Sequence, residues 1–171
     1  MLIRIIILFA LIAAAPLGVA ATTVYQKPSE FLSAATGGKV PPTRIMPLSA
    51  AQRSQVERFL GQRLSPARLR YWMAGSRMIV ILNSVGRTED ITTGFVVNGG
   101  KIEQVKVLIY RESVGAEVRR TSFTNQFKGA TMSSRGQLSK RIHNIAGATL
   151  SVRSLSRMAR AALYLDSVRP K

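Results

Sequence analysis

The chain has 171 residues, a net charge of +17, eight acidic residues, one histidine (His143) and no cysteine. This composition excludes thiol catalysis, a disulfide scaffold and a multi-histidine metal or haem site, and leaves few carboxylates for any other metal centre. It points to a borrowed cofactor or to no chemistry of its own.

At the front, Arg4 precedes an apolar run from Ile5 to about Ala15, followed by Pro16-Leu17-Gly18 and the small residues Val19-Ala20-Ala21. This is the pattern of a secretory signal, and the run falls short of the roughly 20 residues that a membrane span needs. Residues 1–21 are therefore predicted to be a signal peptide, and the protein periplasmic; an uncleaved, membrane-anchoring segment is the alternative. Export argues against nucleic acid as a partner. So do arginines spread along the chain and the lack of a basic strand interleaved with aromatics. The positive charge suits an anionic membrane surface, an acidic partner or a phosphate-bearing ligand.

The remaining stretch of about 150 residues is enough for one domain with a real core. Residues 22–67 read as an N-terminal helical extension. Within it, a short helix around Lys27–Leu32 closes at Gly37-Gly38, and a proline-rich connector runs from Val40 to Pro47. Ser49-Ala50-Ala51-Gln52 is a capping box that opens a helix through Val56, Phe59 and Leu60, halted at Gly61 or by Pro66.

Residues 68–171 form the second predicted unit. Leu69–Met73 and Arg77–Asn83 are strand-like and joined by the turn Ala74-Gly75-Ser76. Thr92–Val97 leads into Asn98-Gly99-Gly100, a strong hairpin signal, and the return strand Ile102–Tyr110 puts Val105, Val107 and Ile109 on one face. Four antiparallel strands imply a twisted sheet with one face covered. A short helix is expected at Thr124–Phe127 and a loop from Gly129 to Gly136. A final helix begins near Ser151, with Val152, Leu155, Ala159, Ala162 and Leu163 on one face and Arg153, Arg157 and Arg160 on another. The fold class is α+β, a single antiparallel sheet packed by helices including the C-terminal one.

Ahead of that helix stands Ala146-Gly147-Ala148-Thr149. Residues with almost no side chain let a ligand approach the main chain, and a helix N-terminus suits a phosphate. The simpler role is a helix cap from Thr149 or Ser151. Gly147-Ala148-Thr149-Leu150-Ser151 resembles the attachment segment of the FMN-binding domain family. That family includes flavin-carrying subunits of sodium-pumping NADH:quinone oxidoreductase and of the related electron-transport complex, and small exported flavoproteins. Tyr110-Arg111-Glu112-Ser113-Val114-Gly115 is similar to the family loop beside the flavin ring. Thr93–Val97 with Gly99–Ile102 resembles its hairpin, and Asn125–Gly129 a further family element.

The resemblance spans roughly residues 76 to 166. It implies FMN as cofactor, joined through a phosphoester to Thr149 Oγ by a separate FMN transferase. Gly147, Ala148, Leu150 and Ser151 would lie around the phosphate, and Glu112, Ser113, Val114 and Gly115 beside the ring. It implies an electron carrier or relay rather than an enzyme with its own substrate. Its partner would be a membrane electron-transfer protein, ferric-reductase-like or quinone-linked. Arg111 and Arg153 are candidates for favouring negative charge on the reduced ring, or else are solvated surface arginines. His143 stands where the family pattern has aspartate, Ala146 where it has serine, and Val114 where the ring-side loop has proline. These departures leave open a non-covalent FMN site. They also leave open a non-flavinylated structural member, or a basic module that binds an anionic surface without a cofactor.

Overall fold

The computed structural model describes residues 22–64 and 69–170. The signal peptide and the Pro66 stop lie outside the described residues. The strands are β1 (Thr23–Val24), β2 (Arg44–Ile45), β3 (Arg70–Ala74), β4 (Arg77–Val85), β5 (Asp90–Asn98) and β6 (Lys101–Tyr110). The helices are α1 (Pro28–Thr36), α2 (Ala50–Leu60), α3 (Thr121–Thr124) and α4 (Thr149–Val168). All strands join one antiparallel sheet in the order β1-β6-β5-β4-β3-β2.

The four expected strands are present. The sheet is extended at each edge by a two-residue strand that the sequence did not announce, because two residues carry no alternation to detect. The capping box at the start of α2 forms as expected: Gln52 N–H donates to Ser49 Oγ, and Ser49 N–H to Gln52 Oε1.

The expectation of one covered face is wrong. α2 and α4 pack on one side, where Val56, Phe59, Leu155 and Met158 meet Val80, Phe95 and Val105. α1 covers the other, where Phe31, Leu32 and Ala35 meet Ile79, Val96 and Leu108. The continuous apolar runs of β4 and β5 are the signature of strands buried on both faces. Gly94 belongs to this arrangement: a methyl group built there would sit 2.3 Å from the Phe31 ring. Only glycine lets α1 lie that close to the middle of β5.

β6 does not keep strict alternation. Thr92 pairs with Ile109 but Thr93 with Val107, so Leu108 is an inserted residue in a bulge. Val107 faces the α4 side, whereas Leu108 and Ile109 both pack towards α1. This corrects the grouping of Ile109 with Val105 and Val107. A bulge places two residues of one strand opposite one of its partner and re-aims those that follow. Here it returns Tyr110 to the α4 side, where its ring is fully buried.

α4 is fixed along its length. Gly100 N–H of the β5–β6 turn donates to Asp166 Oδ2 (3.0 Å) near its C-terminus. Ser154 Oγ donates to the Ser84 carbonyl (3.0 Å), and Ser151 Oγ lies 2.8 Å from the Tyr110 hydroxyl at its first turn. The five apolar residues assigned to its inner face are all buried.

Candidate flavin site at the start of the C-terminal helix

The helix begins two residues before Ser151. Ala148 is the N-cap, with no side-chain cap, and Thr149 is the first helical residue. Neither Thr149 nor Ser151 caps the helix, which corrects the simpler reading of these hydroxyls. Thr149 Oγ1 instead accepts a hydrogen bond from Asn144 Nδ2 (2.8 Å). Ser151 Oγ is turned inward to Tyr110. The first main-chain bond of the helix is donated by Val152 N–H to the Ala148 carbonyl. The amides of Thr149, Leu150 and Ser151 therefore have no acceptor among the described residues, as expected of an uncapped first turn. Gly147 is an exposed bend leading the chain into α4.

The loop after β6 is brought against this turn. The Tyr110 hydroxyl donates to the Val114 carbonyl (2.5 Å), which leaves Ser151 Oγ as donor to the phenol oxygen. Burial pushes the Tyr110 phenol above its ordinary value. The Ser151 hydrogen bond opposes that shift, and the charges of Glu112 and Glu117 add to it. Gly115 closes the arrangement at φ +85°: a methyl group there would meet Ser151 Oγ at 2.9 Å, the Tyr110 hydroxyl at 3.0 Å and Ala148 Cβ at 3.2 Å. Both the positive φ and the close approach require glycine.

Glu112 is buried, and its carboxylate is held by the β4–β5 turn. Its Oε1 accepts the amides of Arg87, Thr88 (2.8 Å) and Glu89 (2.9 Å), and its Oε2 the Thr88 hydroxyl (3.3 Å). Burial alone would raise its pKa, but those amides outweigh it and hold the carboxyl below its ordinary range. The consequence is a fixed β4–β5 turn with Arg87 presented at its surface.

Arg87, Val114 and Gly147–Ser151 line a depression of about 250 Å³. Val114 (50% exposed) and Leu150 (42% exposed) are large apolar side chains left open to solvent there. Thr149 also lies on the rim of a second, larger groove of about 890 Å³ between α4 and residues 137–144. Of the nine residues expected at the site, the depression gathers Val114, Gly147, Ala148, Thr149, Leu150 and Ser151. Glu112 and Gly115 support it from behind, and Ser113 is exposed without lining it. Arg111 is tied to β5 through the Asp90 carbonyl (3.1 Å) and Thr92 Oγ1 (3.0 Å) and does not line the depression.

Residues 86–164 match the model of the FMN-binding domain family. They form an FMN-binding domain. Its cofactor is FMN, and the match begins at the turn that Glu112 holds and ends within α4. No curated protein and no solved structure matches the chain.

Sequence reasoning missed Arg87 and Asn144, and the part that Tyr110 plays in joining the loop to α4. Arg87 comes from a turn with no local motif. Asn144 sits beside His143, whose replacement of aspartate drew the attention. Tyr110 reads as the end of an apolar strand, and only the bulge at Leu108 turns it to α4. His143 itself is exposed, its N–H donating to Gln126 Oε1 (2.7 Å).

Proposed function

We propose that this chain is an exported flavoprotein that relays electrons, with FMN joined by a phosphoester to Thr149. The single observation that carries this is the first turn of α4 in an FMN-binding domain: three amides without acceptors beside an oriented threonine hydroxyl. The residues fit the group. The amides of Thr149, Leu150 and Ser151 and the positive end of a long helix suit a phosphate. Val114 and Leu150 offer an apolar platform for an aromatic ring. Arg87 is the cation lining that depression, a better candidate than Arg111 or Arg153 for favouring negative charge on a reduced ring.

FMN supplies one- and two-electron redox chemistry when bound. The chain's own contribution is to hold and orient. Asn144 positions Thr149 Oγ1. In attachment, that oxygen would take the flavin phosphoryl group from the transferase's phosphoanhydride donor, the new O–P bond replacing the donor's P–O bond while the donor's remaining phosphate leaves and the hydroxyl proton passes to solvent. Asn144 keeps the hydroxyl aimed although His143 and Ala146 depart from the family pattern. Tyr110, Ser151 and Gly115 hold the ring-side loop against the phosphate-side turn. The signal-like front end supports a periplasmic setting, and the electron partner would be a membrane protein of ferric-reductase-like or quinone-linked type.

Expression for export together with an FMN transferase tests this. After denaturation, the wild-type band fluoresces and the Thr149→Ala band is dark. A dark wild-type band from a yellow native protein would leave FMN binding but remove the phosphoester. A colourless native protein, even after FMN is added, would remove the carrier reading and favour the cofactor-free basic module.

A further inference from the structure

The larger groove beside Thr149 is lined by Lys140 and Arg141 on one wall and by Arg153, Arg157 and Arg160 of α4 on the other. No carboxylate lines it. None of these five cations has an ion pair among the described residues, where the ion pairs are Arg53–Glu57 and Arg169–Asp166. All eight acidic residues of the sequence lie among the described residues, and none of them lines the groove. Burial lowers the pKa of Arg160, and the neighbouring charge of Arg157 lowers it further, the condition of a cation held without a counter-charge. From Thr149 to Arg160 the helix rises about 16 Å.

We propose that this groove docks an acidic polypeptide segment of the electron-transfer partner, bringing that partner to the edge of the flavin site. The inference rests on the carrier reading for the partner's role, but the docking itself does not need the flavin. The groove is open and runs between α4 and residues 137–144, so an extended chain laid along it meets the cations of both walls, which favours a polypeptide over a bilayer. Ser139, Ser156 and Asn144 add hydrogen-bonding groups that a main chain can use. A cleft of one sign of charge also steers an acidic partner by its field.

The probe is a labelled peptide of about ten residues of alternating Glu and Ala, longer than the roughly five extended residues needed to span the groove. Its binding to the purified full chain is followed by fluorescence anisotropy at low and moderate salt. Arg141→Gln with Arg153→Gln removes one exposed cation from each wall; Arg44→Gln with Arg70→Gln removes the same charge from β2 and β3. The groove pair is expected to weaken binding about five- to tenfold and the control pair less than about twofold. Equal weakening by both pairs would overturn the proposal, since binding would then follow net charge alone. So would wild-type binding to phosphatidylserine-containing vesicles with none to the peptide. Repeating the titration with Thr149→Ala separates the two readings: unchanged peptide binding there places the fault with flavin attachment if the protein is colourless.

Discussion

Two sets of main-chain amides lie close to Arg87 and differ in what answers them. At the β4–β5 turn, the amides of Arg87, Thr88 and Glu89 converge on the buried carboxylate of Glu112. At the start of α4, the amides of Thr149, Leu150 and Ser151 have no acceptor among the described residues, and the neighbouring groove gathers cations without a carboxylate from them. The chain spends one of its eight acidic residues on the first set and none on the second. A structural turn carries its own anion, whereas a binding site waits for one from outside. On the proposed reading, that difference would let a phosphate bind at α4 without having to displace an internal carboxylate.

Removing the internal anion is the strongest way to break this contrast. Glu112→Ala removes the shared acceptor of three part-buried amides and is expected to cost about 2–4 kcal/mol of stability, measured by urea unfolding. The pH dependence follows from the lowered carboxyl pKa. The stabilisation from Glu112 is complete above its ordinary value of 4.5 and is lost as pH falls through the lower folded value. Glu112→Gln should unfold with a shallower dependence on acid than the wild type; an identical acid profile would show that the carboxylate is not the group held there.

Tyr110→Phe comes next, at about 1–2 kcal/mol, because it removes the bonds to Val114 and Ser151 that join the two halves of the site. It should also loosen FMN binding, read by flavin fluorescence. The raised phenol pKa has the opposite sign to that of Glu112: its contribution is full below the ordinary value of 10.0 and falls as pH rises beyond it. Tyr110→Phe should lose that alkaline decline.

Asn144→Ala sharpens the comparison at the unanswered end. The residue is exposed and makes one bond to Thr149, so stability should change by less than about 0.5 kcal/mol while flavin attachment slows. A normal attachment rate in this variant would show that the hydroxyl needs no positioning. Thr149→Ala should be equally mild in unfolding and yet abolish attachment altogether.

Much of this architecture was legible because local chemistry and the final fold agree. The Ser49 capping box, the Asn98-Gly99-Gly100 turn and the inner face of α4 each needed only neighbours in sequence. What escaped depended on pairing between distant segments. β1 and β2 are too short to show a period, and the burial of both sheet faces depends on Phe31 meeting Gly94. The bulge at Leu108 is set by register against β5, and it alone turns Tyr110 to Ser151. The segment from Gly147 to Ser151 was legible as a small-residue turn that leads into a helix. Its uncapped state and the aim of Asn144 were not, since a hydroxyl at a helix start has cap as its ordinary role.

The most direct test is to digest the protein, made with an FMN transferase, with trypsin and to fragment the peptide spanning residues 142–153, which holds both Thr149 and Ser151. The account predicts the mass of FMN less one water on this peptide, with fragment ions that assign it to Thr149. An unmodified peptide from the flavin-loaded protein, or the added mass on Ser151 or elsewhere, would contradict it.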